Sequence, residues 1–133
     1  MTTGHCPFCA RIARGQFEEH GPLAVGFPDG FPLSLGHTLV VPRRHVADLF
    51  ALEPAELQEL LDLTVRVKTR LAAAHRPDGF NVGVNVGAAA GQTVDHAHVH
   101  IIPRYAGDRE DPRGGVRWVL PERAAYWKRE EDG

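Results

Sequence analysis

Histidines 96, 98 and 100 stand at alternate positions of the run Asp95-His96-Ala97-His98-Val99-His100-Ile101-Ile102-Pro103-Arg104. Alternate side chains of an extended strand share a face, so this spacing predicts three imidazoles on one side. Ala97, Val99 and Ile101 then point into a core. Histidine is not among the strand-enriched residues, so a metal-binding or catalytic face is preferred to a solvated edge strand that happens to be rich in histidine. Three imidazoles and a water can form a catalytic zinc site. The outer Cα atoms of such a trio, however, lie about 13 Å apart along a strand, which keeps three rings from converging easily on one ion. The alternative is a nucleophilic histidine whose neighbours orient it and bind an anion. A neutral imidazole can attack phosphorus near neutral pH because its unperturbed pKa leaves much of it unprotonated.

Both cysteines lie in Cys6-Pro7-Phe8-Cys9. The unit reads as a metal half-site, a redox pair or two packed thiols. A redox CxxC normally accompanies a βαβ pattern, and no strand pattern precedes this one. A closed structural site needs two more ligands.

The elements that must position these residues follow from periodicity and turn chemistry. Residues near 6 to 14 form a short helical turn. Leu23, Val25 and Phe27 alternate as a strand that Pro28-Asp29-Gly30 stops. His37 to Val41, bounded by Gly36 and Pro42, is a second strand. The clearest helix opens at Pro54, an acceptable first helical residue, and ends before Pro77-Asp78-Gly79. Leu57, Leu60, Leu61, Thr64, Val67 and Leu71 are its expected buried face. Phe80 to Val86 alternates, with Asn81, Gly83 and Asn85 on one face. The loop from Gly87 to Thr93 joins it to the histidine strand as an antiparallel pair, the Asn and His faces on the same side. Arg117 to Leu120 is expected as a short strand, Ala124 to Lys128 as a helical or ordered tail, and residues 130 to 133 as frayed. The sum is an α+β domain: an antiparallel sheet, one long helix and a polar site on the sheet.

The chain has 133 residues and a net charge of −2, enough for one domain with a modest core and without the charge bias of a nucleic-acid or anionic-membrane binder. No apolar run approaches the roughly 20 residues of a membrane span, and the N-terminus lacks the pattern of a signal peptide. The expectation is a soluble cytoplasmic protein.

The segment His96-Ala97-His98-Val99-His100-Ile101-Ile102 resembles the signature of the histidine triad (HIT) superfamily of nucleotide hydrolases and transferases. Gly36 to His45 is similar to a second motif block of that family. Phe80 to Asn85 with Gly91-Gln92-Thr93-Val94 is similar to a third, and Cys6-x-x-Cys9 to the N-terminal cysteines of bacterial members. The resemblance runs from about Cys6 to Tyr105, with a tail from about 106 to 133 in which members differ in specificity. It implies a HIT-like sheet of about five strands with one long helix and a short N-terminal helix. It also implies covalent catalysis at the α-phosphorus of a nucleotide, with His98 as nucleophile. His100 and His37 would bind phosphate oxygens or move a proton, and Gln92 and Thr93 would hold oxygens of the phosphate or leaving group. Asn85 would contact phosphate or ribose, and Asp29 the ribose hydroxyls. Phe8, Phe27 and Leu39 are either a base slot or plain core. The resemblance also implies a structural zinc ion on Cys6, Cys9, His45 and His96, with His5 and His20 solvated or His5 substituting as a ligand, and a homodimer through the long helix and sheet edge.

Three departures from the family pattern stand out. Leu35 occupies a usual proline position, Ala88-Ala89-Ala90 lacks an acidic residue common in that loop, and Asp95 stands where relatives are apolar or aromatic. Arg109, Arg113 and Arg117 either reach distal phosphates or are surface charges. The leading function is hydrolysis of dinucleoside polyphosphates or related adenylyl compounds. The alternatives are a purine nucleoside phosphoramidase, a nucleotide-binding module with negligible turnover, and a nucleotidyl transferase.

Overall fold

The computed structural model describes residues 3–132. A 3-10 turn (Thr3–His5) leads into α1 (Pro7–Ala13), β1 (Glu19–His20), β2 (Ala24–Pro28), β3 (Thr38–Pro42) and the long helix α2 (Pro54–His75). β4 (Gly79–Gly83), β5 (Val99–Arg104), a 3-10 helix (Gly115–Val119), α3 (Pro121–Ala124) and α4 (Tyr126–Asp132) follow. The strands form one antiparallel sheet in the order β1-β2-β3-β5-β4. No helix among the described residues is long and apolar enough to cross a membrane.

The sheet separates two apolar layers. Ala24, Val40, Val99 and Ile101 pack against Leu60, Leu63, Val67 and Leu71 of α2. Val25, Phe27, Leu39 and Val41 face the other way and meet Cys6 and Phe8 of the N-terminal segment. Pairing of Leu39 with His100 and of Gly83 with His100 puts the histidine on that second face, beside α1. The antiparallel β4–β5 pair has its Asn and His faces on one side, as the alternation predicts.

α2 begins at Pro54, with the Glu56 carboxylate accepting the Glu53 N–H at 2.9 Å. It ends at His75, where Arg76 turns left-handed ahead of Pro77. Its buried stripe corrects one expectation: Leu63 is 1% exposed, whereas Leu61 is 60% exposed. Leu60, Leu63, Val67 and Leu71 recur at helical spacing, and Leu61 lies about 100° off that line.

Three strand expectations also change. β5 starts only at Val99, because the Ala97 N–H leaves the ladder and donates to the Val46 carbonyl at 2.7 Å. β4 accordingly stops at Gly83, opposite His100, and Val84 to Val86 run on unpaired. Residues 117–120 lie on and just after a 3-10 helix instead of a strand, after two left-handed glycines, Gly114 and Gly115, bend the chain at φ of 94° and 48°. The fifth strand is β1, a two-residue edge too short to show any periodicity. The tail is helical to Asp132, and Gly133 lies outside the described residues.

Candidate active site and metal-binding cluster

Four potential metal ligands meet where α1, the end of β3 and the bend before β5 converge. Sγ of Cys6 lies 3.4 Å from Nδ1 of His96. Sγ of Cys9 lies 3.3 Å from Nδ1 of His45 and 3.6 Å from Nδ1 of His96, and the two Nδ1 atoms are 3.2 Å apart. Ligands about 2.0–2.3 Å from a tetrahedral zinc stand roughly 3.3–3.8 Å from each other. These four distances, 3.2–3.6 Å, lie at or near that spacing, all four donors lie within 4.8 Å of one another, and the four residues can hold a metal ion. The tautomer agrees with it. Nε2–H of His96 donates to the Pro42 carbonyl at 2.7 Å, leaving the Nδ1 lone pair toward the thiols. Burial, with Cys6 adding a hydrogen bond and charge, pushes the Cys9 thiol up to about 11, so an ion must displace a proton there. Arg44 donates to Glu56 of α2 at 2.7 Å and ties down the chain beside His45. His5 and His20 are exposed and lie outside the cluster.

His98 sits next along the chain with a different orientation. Its Nδ1–H donates to the His96 carbonyl at 2.8 Å. A carbonyl only accepts, so Nδ1 carries the proton and Nε2 is a free lone pair. The ring centroid is 5.0 Å from that of Phe8 and 5.0 Å from that of His100.

His37 and His100 form a hydrogen-bonded chain whose direction the backbone sets. The Leu33 N–H donates to Nδ1 of His37 at 3.0 Å, so a neutral His37 holds its proton on Nε2, 3.0 Å from Nδ1 of His100. His100 therefore accepts on Nδ1 and keeps its own proton on Nε2. Asp29 Oδ2 is 3.4 Å from Nε2 of His37 and 3.9 Å from Nδ1 of His100. Asp29, His37 and His100 are also close enough to one another to hold an ion. Ligation through Nε2 of His37 would demand an imidazolate, however, because Nδ1 is already an acceptor, so the hydrogen-bonded chain is the better description.

Burial lowers the pKa of His37 against the opposing pull of Asp29. Burial first, then the His98 and His37 rings, lowers that of His100, again opposed by Asp29. A folded-state value below the ordinary one of about 6.5 means that the unfolded chain binds more protons, so stability falls as pH drops below it. The melting temperature is expected to be lower at about pH 5 than at about pH 7, with a shallower dependence in His37→Gln. A profile equally steep in the variant would contradict the neutral His37.

These rings open on a cavity of about 460 Å³. Phe8, Phe27 and Leu39 form its apolar wall, and all three also belong to the second core layer, so the base-slot and core readings coincide. Asp29, Asn85 and Thr93 form its polar rim. Gly91, at φ of 91°, turns the loop that presents Thr93.

Gln92 stands apart from this lining. Its Oε1 accepts the Gly87 N–H at 2.9 Å, and its Nε2 donates to the carbonyls of Ala47 at 2.9 Å and Val94 at 3.0 Å. The amide braces the loop. Gln92→Ala is expected to lose about 1–2 kcal/mol of stability, read as a lower midpoint in urea unfolding; an unchanged midpoint would deny the bracing.

Sequence reasoning misses Arg11, whose guanidinium lies 4.5 Å over the Phe27 ring and lines the same cavity. Its i+3 spacing from Phe8 on α1 is the signal that points to it. The three tail arginines brace the tail. Arg109 stacks 4.5 Å over Trp118, Arg113 pairs with Asp111 at 3.1 Å, and Arg117 donates to the Arg123 carbonyl at 2.7 Å.

The HIT domain family model matches residues 19–107 of this chain. A HIT-like protein of Mycoplasma genitalium is 38% identical over 108 residues, covering 78% of this chain and 76% of the relative. The AP-4-A phosphorylase of Mycobacterium tuberculosis is 39% identical over 95 residues, 71% of this chain but 49% of that enzyme. Among solved structures, a Zn-bound histidine triad family protein from Mycobacterium smegmatis superposes with a TM-score of 0.70 at 29% identity, covering 99% of this chain and 100% of the other.

Proposed function

The chain belongs to the HIT family, and from that premise we propose that it is a nucleotidyl hydrolase releasing a nucleoside monophosphate from dinucleoside polyphosphates or related adenylyl compounds. The observation that carries this reading is the His98 tautomer: a lone pair on Nε2, fixed by the His96 carbonyl, in the wall of a cavity sized for a nucleotide. The lone pair forms a bond to the α-phosphorus. The bond from phosphorus to the leaving group breaks, its electron pair departs with the leaving atom, and that atom takes a proton from solvent while the Nε2–H of His100 donates a hydrogen bond to a phosphate oxygen. The nucleotidylated His98 ring, still protonated on Nδ1, carries the positive charge until the second step. Water then bonds to phosphorus and releases a proton to solvent, and the electron pair of the phosphorus–nitrogen bond goes back to His98.

Asp29 and Asn85 are assigned to ribose and phosphate, Thr93 to phosphate oxygens, and Gln92 to support of their loop. The ion proposed for Cys6, Cys9, His45 and His96 is zinc, supported by the ligand spacing and by the Zn-bound relative. Its contribution is structural: four protein ligands close the site. A homodimer through α2 and the sheet edge belongs to the same reading, supported by the exposed Leu61 and Val65 on α2. So does a division into a core of about 6–105 and a specificity tail of about 106–133.

Diadenosine tetraphosphate and adenosine 5′-phosphoramidate, offered separately and quenched early, test the reading by intact mass. A one-nucleotidyl adduct with product release is expected. Tight nucleoside monophosphate binding without adduct or product from either compound would indicate a binding module instead.

A further inference from the structure

Among the described residues, Arg11 is the only lysine or arginine lining the cavity of about 460 Å³ that holds His98 in its wall. It stands at the end of the aromatic wall away from the nucleophile. The His98 ring meets Phe8 at a centroid distance of 5.0 Å, Phe8 meets Phe27 at 5.5 Å, and the Arg11 guanidinium lies 4.5 Å over Phe27. Its charge does not register at the phosphate end. Burial and Asp29 set the shift of His37; burial, the His98 and His37 rings and Asp29 set that of His100. The guanidinium has donors to spare. Its Nε–H donates to the Gln16 carbonyl at 3.4 Å, and among the described residues its two terminal amino groups meet neither a hydrogen-bond acceptor nor a carboxylate. Two acids of this region are engaged elsewhere: Glu18 pairs with Arg70 at 3.1 Å, and Asp29 lies 3.4 Å from Nε2 of His37.

A cation at that end has a specific use. With phosphate beside His98 and ribose at Asp29, the base falls to the slot of Phe8, Phe27 and Leu39. The phenyl rings offer stacking, which every base accepts and which therefore selects none. Arg11 adds direction, because a guanidinium carries only donors, in a fixed planar fork. The imidazole edge of a 6-oxopurine presents two acceptors, N7 and O6, at a spacing the fork matches. Adenine offers N7 beside an amino group, so one donor of the fork would face another donor. Two donors left facing each other in a slot that excludes water cost affinity.

We propose that Arg11 selects the base, its guanidinium pairing with N7 and O6 of guanine or hypoxanthine, so that 6-oxopurine nucleotides are preferred to adenine nucleotides. The assignment rests on the nucleotidyl-transfer reading above and names the base within it; adenylyl compounds become slower substrates of the same chemistry. Stacking on Phe27 holds the guanidinium before the base arrives, which limits the freedom lost on pairing.

The 5′-phosphoramidates of guanosine, inosine and adenosine, and the three corresponding dinucleoside tetraphosphates, test it. Within each series only the base changes. The guanine and hypoxanthine compounds are each expected to show a kcat/KM at least about tenfold above the adenine compound, the scale of one good bidentate base contact. In Arg11→Met, which keeps an unbranched stem and loses the donors, that ratio is expected to fall toward one. Arg11→Lys keeps the charge without the fork, and the ratio is expected to fall there as well. Circular dichroism checks that both variants are folded. Adducts with a wild-type ratio at or below one, or a ratio that either variant leaves unchanged, would overturn the role of Arg11 and leave the nucleotidyl-transfer reading intact. So would a preference for guanine that hypoxanthine does not share, which would place recognition at the 2-amino group. No adduct and no product from any of the compounds would overturn that reading, and the base assignment with it.

Discussion

His98→Ala is expected to eliminate the nucleotidyl-protein adduct and to lower kcat/KM by about four orders of magnitude or more, the scale seen when a covalent nucleophile is removed. The geometry makes the expectation specific to one ring. Among the three histidines of the triad, His96 directs its lone pair at two thiols, and His100 accepts from His37 through Nδ1. His98 alone combines an Nδ1–H held by a carbonyl with an Nε2 lone pair in the cavity wall. The ring is buried against Phe8, so truncation also leaves a void. His98→Gln, closer in volume, separates the two effects: it should be folded and still form no adduct. An adduct that persists in both variants and maps to His37 or His100 would refute the assignment.

The second large effect is expected at the metal cluster. The purified protein should carry about one zinc per chain, and Cys9→Ser should bind much less. Loss of one ligand is expected to lower the melting temperature by about 10 °C or more, since structural zinc supplies several kcal/mol and each kcal/mol shifts a domain of this size by about 4 °C. The cost is high because the cluster joins distant parts of the chain: Cys6 contacts His96 ninety positions away, and Cys9 contacts His45. Activity should fall as well. The His96 carbonyl is the acceptor that sets the His98 tautomer, so loosening His96 disturbs the nucleophile without touching substrate. Metal-free protein as isolated, with a melting temperature that a chelator does not move, would refute the zinc assignment.

Much of this is visible in residue types and spacing. Alternation around Ala97, Val99 and Ile101 separates histidines from core because a strand has a period of two. Pro54, the helical recurrence of Leu60, Val67 and Leu71, and Pro77 bound the long helix by local chemistry alone. The four residues of the cysteine and histidine cluster could be named in advance because their residue types sit within motif blocks that resemble a known family.

Other features depend on groups that are distant in sequence. Nothing local in the Leu60-Leu61 pair says which leucine faces the sheet; Val40 and Ile101 on the facing strands decide it. His96 and His98 leave the ladder because Ala97 pairs with Val46. Gln92 becomes a loop brace only once Ala47 and Val94 lie beside it. Arg117 to Leu120 reads as a short strand, and only the left-handed backbone at Gly114 and Gly115, seated against Asn81, makes the segment a 3-10 helix. Above all, the protonated nitrogen of each imidazole is set by one backbone group: the His96 carbonyl for His98, the Pro42 carbonyl for His96 and the Leu33 amide for His37. Sequence determines that histidines are present and on which face. Which lone pair faces the thiols and which faces the cavity is a matter of hydrogen-bond partners, and only the tertiary structure supplies them.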